Sequence, residues 1–123
     1  MKLFVRGQWL DREKKLEVCH PFDDSLVDTV PIATPQDVES ALAGAVEGAA
    51  VMRKLPGYER FQILRRTADM MFAQQQELGR LISMEEGKTL AEGVFEAGRA
   101  AVTMELSAEE AKRLGGETLP LDG

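Results

Sequence analysis

The longest stretch of helical periodicity in the chain runs from Leu90 to Leu114. Leu90, Val94, Ala97, Ala101, Met104, Ala108 and Ala111 recur on one side of it. Most of these side chains are small, so a neighbouring element can come close to this helix. Gly115-Gly116 stops it. Just before it, Gly87 is placed to end the preceding helix as a left-handed cap, with Lys88-Thr89 as the turn.

The rest of the chain is punctuated by proline, glycine and aspartate. Leu3-Phe4-Val5, Arg6-Gly7 and Gln8-Trp9-Leu10 read as a short hairpin, with Trp9 expected to cover the core. Asp11 to Lys15 is a charged turn. Leu16-Glu17-Val18-Cys19 alternates like a strand, His20 to Ser25 reads as a turn, and Leu26 to Val30 as another strand. Thr34-Pro35-Gln36-Asp37 opens the first helix, with Thr34 as cap and proline in the first helical position. Gly44 and Gly48 on that helix are expected to pack closely against a neighbour. A second helix starts near Tyr58, with Phe61, Leu64, Ala68, Met71 and Phe72 as its apolar stripe. Gln74-Gln75-Gln76 marks a break before a short third helix. The expected fold class is mainly α with short N-terminal β-strands: strands over residues 1–33, about four helices over 34–114, and the start of an extended segment over 115–123.

Fifteen basic residues against 21 acidic ones leave a net charge of −6. Nucleic acid and anionic membranes are therefore poor partners, because phosphate binding needs a positive field. An anionic ligand must be held by a local cation. The single cysteine, Cys19, excludes a disulfide within the chain and, with the single histidine, His20, a zinc site of several such ligands. A reducing, cytoplasmic setting is expected. Leu3-Phe4-Val5 is far too short for a signal-peptide core, and no apolar run approaches the length of a membrane-spanning helix.

Several motifs invite chemistry. Gly87-Lys88-Thr89 suggests a phosphate-binding loop, but Ile82 stands where that pattern needs glycine, and a helix precedes it where a strand is required. Ser25, His20 and Asp23-Asp24 lie within one proline turn, too tight to hold a hydrolase triad. Cys19 has only His20 to activate it, so a half-buried structural cysteine is expected rather than a nucleophile. Neighbouring glutamates at 85–86 and 109–110 point about 100° apart on a helix and cannot converge on one proton. Arg99 is flanked by Gly98, Ala100 and Ala101, which leave room around its guanidinium. It is either a surface arginine paired with Glu96 or Glu92, which spacing alone favours, or a grip for a phosphate or carboxylate.

Taken in order, a set of segments resembles the N-terminal part of the aldehyde dehydrogenase superfamily. These are Leu3 to Trp9, His20-Pro21 with Leu26 to Val30, Pro31 to Val38, and Arg60 with Ile63-Leu64-Arg65. Glu85-Glu86-Gly87-Lys88 and Gly116-Glu117-Thr118-Leu119-Pro120 complete it. The resemblance implies a parent α/β fold in which these helices pack beside a Rossmann-type sheet built mostly from later sequence. It also implies an NAD- or NADP-dependent oxidation of a small aldehyde, through a cysteine thiolate, a glutamate base and an oxyanion-binding asparagine. No residue here matches those groups, so no catalytic or cofactor-binding residue is assigned; the NAD or NADP site is expected beyond residue 123. On this basis residues 1–123 are expected to be an N-terminal fragment, inactive alone. The alternative is a truncated, non-enzymatic helical module that acts by self-association. A homo-oligomer is expected.

Two further expectations rest on the resemblance. Glu85 and the backbone carbonyls of Val18 and Cys19 match a monovalent-cation site of many relatives, with His20 in place of the family's asparagine. Phe95 and Arg99 match substrate-entrance positions on the long helix. An arginine at the site of Arg99, with the run Ala108 to Arg113, resembles the phosphonoacetaldehyde and non-phosphorylating glyceraldehyde-3-phosphate dehydrogenases. That brings the anion-grip reading of Arg99 level with the surface one.

Overall fold

The computed structural model of the chain describes residues 1–121. Two antiparallel hairpins come first: β1 (Leu3–Val5) with β2 (Gln8–Leu10), and β3 (Lys15–Cys19) with β4 (Leu26–Pro31). The helices follow: α1 (Pro35–Met52), α2 (Gly57–Ala73), α3 (Gln75–Glu86) and α4 (Leu90–Ala111). This is the mainly helical architecture with short leading strands that the sequence pattern predicts.

The first hairpin turns on Arg6 and Gly7, both left-handed at φ 50° and 79°. Two such residues give the turn whose twist matches the flanking strands. Phe4 stands directly opposite Trp9, so both share one face, and their rings lie 4.9 Å apart. Leu3, Val5 and Leu10 are the half-buried side chains. Trp9 is therefore on the outer face and 67% exposed, not over the core as its size suggests. In the second hairpin the register shifts between Val18 and Cys19. Cys19 is exposed rather than half-buried, while Val18 beside it is half-buried, as alternation along a strand requires.

Thr34 caps α1 through a reciprocal box: its hydroxyl accepts from the Asp37 N–H, and the Asp37 carboxylate accepts from the Thr34 N–H. Asp37 is buried and is also gripped by both ends of the Arg12 guanidinium, which ties the loop after β2 to the start of the helix. Of the two glycines expected to pack closely, only Gly44 does. A Cβ there would fall 2.5 Å from the Arg6 side chain, whereas nothing lies near Gly48.

α4 is the spine. It packs against both α2 and α3, and its Ala97, Ala101, Ala108 and Ala111 are buried, as is Ala68 on α2. Arg65 on α2 pairs with Glu105 on α4 and with Asp69 on its own helix. The amide-rich break falls at Gln74, at φ −106° and ψ 11°, and redirects the chain into α3. α3 then crosses α4 at two glycines, Gly79 and Gly93. A Cβ on Gly79 would come within 2.6 Å of the Val94 backbone nitrogen, and one on Gly93 would overlap the Gly79 carbonyl oxygen. Gly87 ends α3 at φ 71°, as the left-handed cap that its position predicts.

α4 starts at Leu90 as the periodic pattern predicts but differs from it at its end and in the burial of its first residue. The helix ends at Ala111, not Leu114, because the N–H groups of Lys112 and Arg113 bond three residues back, to Glu109 and Glu110, and tighten the last turn. Leu90 is 55% exposed although it continues the inward stripe. It sits in the first turn, before the crossing with α3 begins at Gly93. Residues 115–121 are irregular, and the expected extended segment continues to 123, outside the described residues.

Candidate functional site

α4 has a second face. Spacings of four, three and four put Phe95, Arg99, Val102 and Leu106 on one outward stripe. All are exposed, Phe95 at 67%. Arg99 is thus a lone cation among apolar side chains. On one side of the stripe an open hollow is lined by Lys88, Glu92, Glu96 and Thr103 together with Phe95 and Arg99. On the other side a second hollow runs between Phe95 and Arg99 and the α2–α3 junction, where Phe72 and Gln75 lie.

The charges around Arg99 are already committed elsewhere. Glu92 closes the capping box at the start of α4, accepting from the N–H and hydroxyl of Thr89. Glu96 pairs with Lys88, whose Nζ lies 2.5 Å from it and 2.6 Å from Glu86. Glu86 first, and Glu96 after it, hold the Lys88 ammonium well above the ordinary lysine range. Among the described residues, the Arg99 side chain makes no hydrogen bond or ion pair, so neither pairing that its spacing suggests is formed. In the second hollow the Gln75 amide fills the space that a side chain at position 98 would need. Its Nε2 donates to the Val94 carbonyl at 3.0 Å and lies 2.5 Å from where a Cβ on Gly98 would sit.

The other sequence candidates fall in different places. Glu85 is exposed at the end of α3 and, among the described residues, its carboxylate has no ion-pair partner. The end of β3 does come to this corner of the molecule. A Cβ on Gly87 would touch the Pro21 ring at 3.3 Å, so the segment after Cys19 lies against the α3–α4 turn. No cluster of three or more His, Cys, Asp or Glu side chains forms among the described residues. Ser25, His20 and Asp23 are consumed by their turn: Asp23 accepts from the Ser25 hydroxyl at 2.7 Å, and His20 Nδ1 accepts from the Phe22 N–H at 3.0 Å.

A dinucleotide needs a glycine turn between a strand and a helix whose first N–H groups are free. The described residues do not fit it. β4 reaches α1 through Ile32, Ala33 and Thr34, with no glycine, and the Thr34–Asp37 box occupies the start of that helix. The start of α4 is blocked in the same way by Thr89 and Glu92.

The family model of aldehyde dehydrogenases matches residues 9–123, almost the whole chain. The chain belongs to the aldehyde dehydrogenase family. It is 35% identical over 120 residues to 3-sulfolactaldehyde dehydrogenase of Priestia aryabhattai, covering 98% of this chain and 25% of that protein. It is likewise 35% identical over 119 residues to glutarate-semialdehyde dehydrogenase of Pseudomonas putida, covering 95% and 25%. The crystal structure of aldehyde dehydrogenase 21 from Physcomitrella patens, solved with the reaction product succinate, superposes with a TM-score of 0.94 at 30% identity, over 98% of this chain and 25% of that one. The chain therefore spans about a quarter of the length of the aldehyde dehydrogenases it matches. Its four helices and short strands are a portion of the aldehyde dehydrogenase fold.

Within that portion, the sequence singles out Arg99 and Phe95 but gives Lys88 only a place in a turn and Gln75 only a place in a helix break. Lys88 carries a local signal, since glutamates flank it two positions before and eight after. Gln75 carries none, because its partners Val94 and Gly98 are far along the chain.

Proposed function

We propose that this chain is the N-terminal part of an NAD(P)-dependent aldehyde dehydrogenase that oxidises a small anionic aldehyde, with Arg99 receiving the substrate's charged end. The observation that carries this is the unpaired guanidinium of Arg99 on an exposed apolar stripe of α4. A guanidinium grips sulfonate, phosphonate or carboxylate oxygens through paired hydrogen bonds. Phe95, one turn away, supplies an apolar wall for the carbon chain. Relatives named for 3-sulfolactaldehyde and glutarate semialdehyde, whose substrates end in a sulfonate and a carboxylate, favour the anionic class. A relative named for lactaldehyde, an uncharged aldehyde, is 29% identical, so the two classes must be compared directly. The nicotinamide cofactor supplies the hydride acceptor in such a reaction. The residues described here bind and orient the far end of the substrate.

The test is Arg99→Leu in the complete enzyme. KM for succinate semialdehyde should rise about tenfold, the loss of one charge-assisted contact, while KM for propionaldehyde stays nearly unchanged. An equal effect on both aldehydes removes the anion role. The 123-residue chain alone should give no nicotinamide reduction with either aldehyde.

Glu85, with the Val18 and Cys19 carbonyls, is proposed as a seat for a monovalent cation; the close approach of Pro21 to Gly87 supports it. In the complete enzyme Glu85→Gln should abolish any dependence of activity on potassium or sodium.

A further inference from the structure

We propose that Lys88 is a specificity-determining positioning residue: it keeps Glu96 away from Arg99 and so leaves Arg99 free for an anionic substrate. The inference rests on the substrate role given to Arg99 above.

Glu96 precedes Arg99 by three positions, so the two are neighbours on the helix surface. An acid and an arginine at that spacing pair readily. A Glu96–Arg99 pair would neutralise the guanidinium and fill the hollow beside it. Instead Glu96 turns to Lys88, 2.5 Å away across the α3–α4 turn.

The backbone of Lys88 is fixed on both sides. Gly87 before it is locked left-handed, and Thr89 after it is the cap of α4. The Ser83 hydroxyl donates to the Lys88 carbonyl at 2.7 Å. The lysine side chain is only 25% exposed, and Glu86 anchors the same ammonium at 2.6 Å. Lys88 thus reaches Glu96 from a fixed origin and loses less freedom than a lysine on an open surface. Glu92, the other acid near Arg99, is held by Thr89. The cation at Arg99 stays uncompensated because each nearby acid has a fixed partner.

The test compares Lys88→Met in two backgrounds of the complete enzyme, with succinate semialdehyde and propionaldehyde as substrates. With Glu96 present, KM for the anionic aldehyde should rise about fivefold, the worth of one exposed ion pair, with kcat and the neutral aldehyde little changed. With Glu96→Gln, the same Lys88→Met change should have less than about half that effect, because no carboxylate remains to occupy Arg99. A rise of equal size in both backgrounds would mean that Lys88 acts through its own charge or through folding, and would overturn the proposal. So would no rise in either. If Lys88→Met does not fold, Lys88→Gln keeps the length and a hydrogen-bonding end without the charge, and serves in the same comparison. Arg99→Leu separates the two levels. If it leaves the anionic-to-neutral ratio unchanged, the substrate assignment fails. If it changes the ratio but Lys88 does not behave as stated, only the role of Lys88 falls.

Discussion

Asp37 satisfies three demands at once: it completes the cap of α1, accepts from the Thr34 hydroxyl, and takes both arms of Arg12. Arg12, and after it the N–H and hydroxyl of Thr34, hold its carboxyl well below the usual carboxylate range. The folded-state value is depressed, so the stabilisation is complete above the unfolded value of about 4 and is lost as pH falls through the lower folded value. Asp37→Asn should therefore lower the urea midpoint at pH 7 and flatten the loss of stability below pH ~4. Parallel acid limbs in the two proteins would contradict this. Thr34→Ala should cost about 1 kcal/mol in the same measurement. Half of this cluster is legible in the sequence, since Thr34-Pro35-Gln36-Asp37 is a local cap signal. Arg12 is not, because its link to Asp37 spans the whole β3–β4 hairpin and the loop after it, whose relative placement no local pattern states.

Glycines show what helical spacing can and cannot tell. Gly44 and Gly48 look equivalent on α1, yet one lies under Arg6 and the other faces open space. Gly48→Ala should stabilise the chain by up to about 1 kcal/mol, the helix-propensity gain with no steric cost. Gly93→Ala should do the opposite. Its added methyl would overlap the Gly79 carbonyl, and overpacking costs about 1–3 kcal/mol or more where backbone must move. Urea unfolding of the two variants side by side checks both signs. The small-residue face of α4 was readable as a close-contact surface, and Ala97, Ala101, Ala108 and Ala111 bear it out. Its partners were not readable, because a stripe of alanine and glycine accepts any helix that offers a matching groove.

Among the described residues, the buried apolar side chains other than Pro31 are alanines, and no large side chain is fully buried. The bulk lies outside: Ile63, Leu106 and Leu114 remain exposed around an apolar hollow at the end of α4, where the Nε of Arg60 has no partner among the described residues. Exposed apolar area of this kind is ordinarily covered in solution. The isolated chain should self-associate with increasing concentration, as read by sedimentation velocity; a monomer at every concentration that binds no apolar dye would refute this. At this scale the sequence pattern conveyed the order of strands and helices and named Arg99. It did not convey that Arg99 is free, because that depends on which acid Lys88 reaches across a turn. The turn itself carries a last consequence. Lys88 is the single residue between the left-handed cap of α3 and the capping threonine of α4, and its ammonium bridges Glu86 and Glu96 across the turn. The length of this loop is therefore a spacer for a charge: an added residue would take the Lys88 carbonyl off the Ser83 hydroxyl and its ammonium away from Glu96, so indels that most surface loops tolerate should be disfavoured here.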